Sequence, residues 1–467
     1  MNRALLIARR DLTDFARGGR LYWAGGLILV LVATSLVVGW QRQRESRAER
    51  TRAQALDYGD WIRQPERHPH DAAHQGMHVF KPEPALSIVD PGIVPFVGST
   101  LWLGAHRQTE VKFRPAQDAT GLQRFGSLSP AWAAQILGPL LVILLGFSAF
   151  SAEREHGTLR QMLSLGVSRS QLLWGKALAL GGGLGLVLVP AGLLAGIAVI
   201  VAAEPSARGD AFSRLLGLAA GYGAYLGIFI FLSLGVSALA SSSRLALVSL
   251  LAFWIVVALV APRSVADVSR SLDPSPSREA FNAALDADLG AATQRASLER
   301  FGVRDAFGPG VPLSRWGLAL KVHDHAGYGV MDRHFDALWE SYARQQRMQE
   351  WTGFLLPTIG IRAFSMGVAG TDFAEHRAFS LAAERQRRVM QDIISQDLVD
   401  HADGRKEEHF SYRASRALWA RVPPFQHQPA AAGAALARNL RSLGMLTLGL
   451  LLSATLAALA VSRRRLW

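Results

Sequence analysis

The sequence predicts an all-α integral membrane protein: six transmembrane helices, with a largely helical extracytoplasmic domain built from the first and fifth loops. Two observations carry this. Of 467 residues, half are apolar and only 19% are charged, against about 25% in an ordinary soluble chain. The deficit is also concentrated, because several stretches of about 20 residues hold no Asp, Glu, Lys or Arg, and that length crosses a bilayer core of about 30 Å. A soluble enzyme, a disordered chain and a disulfide-stapled secreted domain are excluded. The chain has no cysteine, so it has no disulfide and no cysteine-ligated metal centre.

In chain order, residues 1–20 form an interfacial segment and 21–40 the first span. An insert at 41–130 follows, then the second span at 131–151 and a charged loop at 152–176. The third, fourth and fifth spans occupy 177–203, 215–239 and 245–261. A larger insert at 262–442 precedes the sixth span at 443–461 and a tail at 462–467. Arginines before the first span imitate a signal peptide. Its apolar core, however, ends in Gly39-Trp40-Gln41-Arg42 with no small-x-small cleavage site, so it is expected to stay as an anchor. The third span carries Pro190 and the run Gly181-Gly182-Gly183-Leu184-Gly185, which close helix packing is enough to explain. Trp23, Trp40, Trp132 and Trp174 sit at span ends, where interfacial aromatics belong.

Charge asymmetry sets the expected orientation. With the N-terminus cytoplasmic, the pieces 1–20, 152–176, 240–244 and 462–467 lie inside, carrying 13 Lys/Arg against 4 Asp/Glu. The long insert 41–130 carries 12 basic against 10 acidic residues, and 262–442 carries 23 against 21. Short basic pieces inside and long balanced ones outside follow the positive-inside rule. The net charge of +13 is therefore mostly a topology signal, and no nucleic-acid partner is expected.

The first insert opens with the charge-rich stretch Gln41 to Arg52, read as a helical continuation of the first span, and then turns rich in proline, glycine and histidine. The second reads as helical: Ser277 caps an amphipathic run to Phe301, and two further helices are expected from Met331 to Trp351 and from Phe373 to Leu398.

Chemistry of its own is sparse. Gly175-Lys176-Ala177 lacks the hydroxyl residue and the preceding glycine of a Walker loop, and no nucleophile elbow or zinc-hydrolase motif occurs. The chain is therefore expected to bind no cofactor and to catalyse nothing alone. Of 13 histidines, 12 fall in the two inserts. His70, His74 and His78 recur every fourth residue, which on one helix face would suit a metal, although Gly76 interrupts the run. His323-Asp324-His325 is a second pair. Satisfied polar histidines, a metal contact and a pH sensor all remain open readings.

The 152–176 loop is the informative piece. Glu153-Arg154-Glu155-His156-Gly157-Thr158-Leu159-Arg160-Gln161-Met162-Leu163 places apolar Leu159, Met162 and Leu163 beside charged ends, the composition of a short helix that docks in another protein's groove. At these residues, with Ser168, Arg169, Gly175 and Lys176 following, the chain resembles the permease subunits of type-2 ABC transporters, in the subgroup with large extracytoplasmic inserts. The resemblance implies that Glu153, Arg154, Glu155, Gly157, Thr158, Leu159, Met162 and Leu163 form a coupling helix touching a separate ATP-binding subunit, which holds ATP and Mg. It further implies that Ala8 to Arg20 is an interfacial connecting helix. A second permease chain, identical or sister, completes the pair in a bacterial inner membrane. Both termini would then be cytoplasmic and the inserts periplasmic, with membrane lipid and a periplasmic protein as further partners. The inserts are longer than in ordinary members, and segments such as Pro69-His70-Asp71-Ala72-Ala73-His74 and Ser365-Met366-Gly367-Val368-Ala369-Gly370-Thr371-Asp372 look typical of the subgroup that shares such inserts. The alternative is a membrane-anchored periplasmic binding or assembly protein with no transport cycle.

Overall fold

The computed structural model describes residues 3–109 and 128–462. Parts of three expected pieces therefore lie outside the described residues: the first two residues of the N-terminal segment, 110–127 of the first insert, and 463–467 of the tail. Six helices are long and apolar enough to cross a membrane: Arg20–Arg63, Pro130–Glu155, Arg169–Ala202, Pro205–Leu239, Ser243–Leu272 and Leu440–Ser462. The protein is an all-α multi-pass membrane protein. Its strands among the described residues form one antiparallel pair in the first insert, β1 (Met77–Phe80) and β2 (Thr100–Leu103), with Met77 opposite Leu103.

Helix starts follow local capping chemistry. Ser129 accepts a hydrogen bond from the Trp132 amide at 3.1 Å with Pro130 behind it, opening the second span. Ser168 and Gln171 form a reciprocal capping box for the third. Pro262 lies just beyond a π turn at Val256–Val260 in the fifth helix, where its missing amide and bulky ring disturb the regular ladder. Ahead of the first span, Gly19 (φ 71°) is left-handed and turns the chain sharply out of a short helix, Arg3–Arg17. This helix lies against the third span because Gly175 leaves room for it. A methyl group at position 175 would come 2.8 Å from Ile7 Cβ and 2.9 Å from the Ala4 carbonyl.

Three apolar centres hold the chain together. The first joins the spans through residues such as Leu141, Leu180, Tyr225, Phe229 and Leu234. It also takes in Ile361, Phe364 and Val368 from a 13-residue helix of the second insert, Pro357–Ala369. That helix therefore packs among the membrane helices, a placement its length alone does not announce. The second centre is the body of the inserts, where Met77, Val79, Leu101 and Leu103 of the β pair meet Phe379, Met390 and Ile394 of the helix Phe373–Asp397. The helix Arg20–Arg63 reaches into this body: Trp61 Nε1 donates to the Trp419 carbonyl at 3.0 Å and Tyr58 donates to the Val422 carbonyl at 3.0 Å. The third centre binds the helices Arg278–Phe301 and Trp316–Thr352 through Phe281, Leu285, Met331 and Phe335. Ser277 does cap the former, accepting from the Ala280 amide at 3.1 Å. The latter begins well before the expected Met331.

Candidate functional site

The loop between the second and third spans folds as a helical hairpin. A five-residue helix, Ser151–Glu155, is bent off the second span, and Ser237 Oγ of the fourth span accepts the amides of Phe150 (3.0 Å) and Ser151 (3.2 Å) at that bend. Gly157 then turns the chain at φ 73° with nothing near its missing Cβ, so conformation rather than space calls for glycine. The short helix Thr158–Ser164 follows and leads back, through Gly166, to the third span.

Glu153, Arg154 and Glu155 of the hairpin bond to neighbouring segments. Glu153 meets the Lys176 ammonium at 2.8 Å, and Lys176 also reaches Asp11 of the N-terminal helix at 3.3 Å with 3% of its side chain exposed. Arg154 donates to the carbonyls of Ala238 and Ala240. Glu155 accepts from both the amide (2.9 Å) and hydroxyl (2.7 Å) of Ser243. Thr158 donates to the Glu153 carbonyl at 3.2 Å. Leu159 is buried, and Met162 and Leu163 are half-buried against the core of the spans. Arg3 adds a bond to the Gly166 carbonyl, and Arg169 one to Ser462 at the end of the sixth span. One face of the protein therefore gathers the N-terminal helix, the hairpin, the turn between spans four and five, and the end of span six.

The hairpin's outer surface consists of other residues: His156, Gly157, Arg160, Gln161, Ser164 and Leu165, with Leu165 75% exposed. Leu165 and the anchors Asp11, Ser237 and Ser243 were not singled out in the sequence. The first is an isolated apolar residue, and the others acquire their role from segments distant in sequence.

Of the three expected histidines the structure brings two together. His70 and His74 share the helix Pro69–Gln75, with their Nε2 atoms 3.0 Å apart. His78 sits on β1, where Asp57 takes its amide at 2.6 Å and its Nδ1 at 2.9 Å, so it does not join them. Gly76 ends the helix between them, and the register of four is lost. His106, from the loop after β2, takes the third place instead. The pair His323 and His325 also separates: His325 bonds Asp392 at 2.9 Å, while Asp324 between them bonds His106 at 3.1 Å.

A second feature lies at the opposite end of the spans. A cavity of about 590 Å³ opens under the inserts, lined by Asp90, Gln135, Tyr342, Gln346, Arg362 and Asp372 among others. Burial raises the carboxyl pKa of Asp90 and lowers that of the Arg362 guanidinium. Ser365 donates to Asp90. Asp372 caps the helix Phe373–Asp397 by accepting the Glu375 amide at 3.0 Å. Of the segment from Ser365 to Asp372, Met366 and Asp372 line this cavity.

Six packed apolar helices, a tied hairpin on one face and a folded insert on the other define a multi-pass membrane subunit of the transporter type. The chain belongs to the ABC-2 family transporter proteins, whose family model matches residues 5–304. A second model, a domain of unknown function (DUF3526), matches residues 278–428 and so covers most of the second insert. No curated protein matches the chain.

Proposed function

We propose that this permease couples ATP hydrolysis by a separate ATP-binding subunit to substrate translocation or to movement of its insert domains. The observation that carries the proposal is the hairpin, fastened from below to the third span through Glu153, to the turn between the fourth and fifth spans through Glu155 and to the N-terminal helix at Gly166, while its outer side is exposed among the described residues. A loop that only connected two helices would need none of these bonds. Glu153, Arg154, Thr158 and Leu159 act as its mounting, and Met162 and Leu163 seat it against the spans. Glu155 and Gly157 lie at the edge. His156, Arg160, Gln161 and Leu165 offer the surface that a partner's cleft would cover.

On this reading ATP and Mg bind the partner, and the chain catalyses nothing. The hairpin face is cytoplasmic in a bacterial inner membrane, and the inserts are periplasmic. A second permease chain completes the complex. Closure of the ATP-binding subunits would push the hairpin, and the push would pass through Lys176 to the N-terminal helix and through Arg154 and Glu155 to the fourth and fifth spans. The spans 21–40, 131–151, 177–203, 215–239, 245–261 and 443–461 hold no charged residue, which favours an amphipathic substrate or transmission of force over a hydrophilic ion route.

The test is purification of the detergent-solubilised chain from its native membrane. An ATP-binding subunit should co-purify, and should be lost when Arg160 and Leu165 are both replaced by Glu while the chain still inserts. Recovery without any ATP-binding subunit would favour an anchored binding protein.

A further inference from the structure

We infer that His70, His74 and His106 form a site for one divalent late transition metal ion of the zinc and copper kind, with a coordination position open to solvent. The inference is independent of the coupling proposal, because the site lies in the inserts and not on the hairpin face.

Three segments build it: the helix Pro69–Gln75, the loop after β2 and, behind them, the helix Trp316–Thr352. The ligating atoms of the three imidazoles all lie within 4.8 Å of one another. Tetrahedral metal–nitrogen bonds of about 2.0–2.1 Å set ligand atoms about 3.3 Å apart. The 3.0 Å between His70 Nε2 and His74 Nε2 is close to that spacing, and His106 needs only a small approach. Imidazole is the ligand that zinc and copper share, whereas calcium and magnesium seek oxygen.

The second shell points the same way. His106 Nδ1 lies 3.1 Å from Asp324, a carboxylate with 3% of its side chain exposed, and His106 is its ion partner among the described residues. A buried carboxylate held by a histidine rather than by Lys or Arg matches the outer-shell arrangement that fixes the tautomer of a metal ligand and raises its basicity. A hydrogen bond from Nδ1 leaves Nε2 with its lone pair. His106 also stands in the left-handed region at φ 63°, one of two non-glycine residues there among the described residues. The fold holds it in a conformation that L side chains rarely adopt.

His70 is wedged against Trp316, ring centroids 4.9 Å apart, and its Nδ1 is buried without a hydrogen-bond partner. His74 is exposed, which leaves the outer side of the triangle reachable.

The experiment uses the full chain in detergent, purified by a tag without histidine, stripped with chelator and titrated calorimetrically with Zn²⁺ and separately with Cu²⁺. One equivalent should bind at micromolar or tighter affinity. His74→Gln and His106→Gln, both at accessible positions, should each weaken binding by at least about 100-fold, and Asp324→Asn by about 10- to 100-fold. His78→Gln, with an unchanged elution profile, should bind as the parent does. No binding by the parent at 10-fold excess over micromolar metal would overturn the site, as would parent-like affinity in both His74→Gln and His106→Gln.

Discussion

The ring of Phe364 fills a notch on the fourth span that only a glycine at position 221 leaves open: a methyl group there would overlap the ring. This contact keys a helix of the second insert into the transmembrane bundle. The neighbouring bonds reinforce it, because Tyr222 and Asp90 both meet Ser365 one residue on. Spans and insert are thereby joined by packing as well as by chain connectivity.

Gly221→Ala should therefore destabilise the protein by about 1–3 kcal/mol, the usual effect of forcing a methyl group into a filled core. Thermal unfolding in detergent measures this. Limited proteolysis should cut the second insert first. An unfolding temperature equal to the parent's would mean that the helix Pro357–Ala369 is free to retreat from the span.

Lys176 is buried between two carboxylates, and removing one member of such a group costs about 3–5 kcal/mol because the remaining charges lose their partner. Lys176→Met should lower the unfolding temperature sharply and loosen the N-terminal helix. Adding Glu153→Gln and Asp11→Asn should restore part of the loss. If the triple variant is less stable than Lys176→Met, the ammonium is not the tie we describe.

On the hairpin, buried and exposed leucines should behave oppositely. Leu159→Ala should cost about 2–5 kcal/mol of stability as a core truncation. Leu165→Asp should leave the melting curve alone and reduce capture of the ATP-binding subunit by about 10-fold, the effect of losing about 1.4 kcal/mol at an interface. Parent-level capture by Leu165→Asp would shift the partner surface elsewhere on this face.

Lys81 supplies a pH prediction. Its Nζ is buried without a hydrogen-bond partner, and burial pushes its pKa down to about 8, with Glu375 and Asp372 opposing the shift. The unfolded chain binds this proton up to about pH 10.4, so between about 8 and 10.4 the unfolded state holds more protons and this group's contribution to stability rises with pH. Lys81→Met should accordingly be more stable than the parent at pH 7, with the advantage shrinking towards pH 10. Paired melting curves at the two pH values test it, and an advantage that grows with pH would refute it.

The spans were legible because lipid leaves a sequence few choices: a run without charge and about 20 residues long is hard to mistake. Ser277 was legible for a similar reason, since a cap is a local device. What escaped depends on distant segments. The helix Pro357–Ala369 is too short to read as a span, and its apolar face makes sense only beside Gly221 and Leu446. His106 joins His70 and His74 across more than 30 residues, with no spacing rule to announce it, while His78 kept the spacing and lost the geometry to the turn at Gly76. Glu153 and Arg154 read as surface charges because their partners, Lys176 and the carbonyls of Ala238 and Ala240, are brought to them by the fold.

The unbroken helix from Arg20 to Arg63 has a mechanical meaning. At 1.5 Å per residue its 44 residues extend about 66 Å, roughly twice the thickness of the hydrocarbon layer. It starts at the left-handed bend at Gly19, and near its other end Trp61 donates to the Trp419 carbonyl. Its length sets a leverage: a swing of about 5° around Gly19 would carry Trp61 about 5 Å sideways, given the rise per residue. Any tilt of this helix would therefore be enlarged at the insert end, with an amplitude fixed by the number of helical turns between glycine and tryptophan.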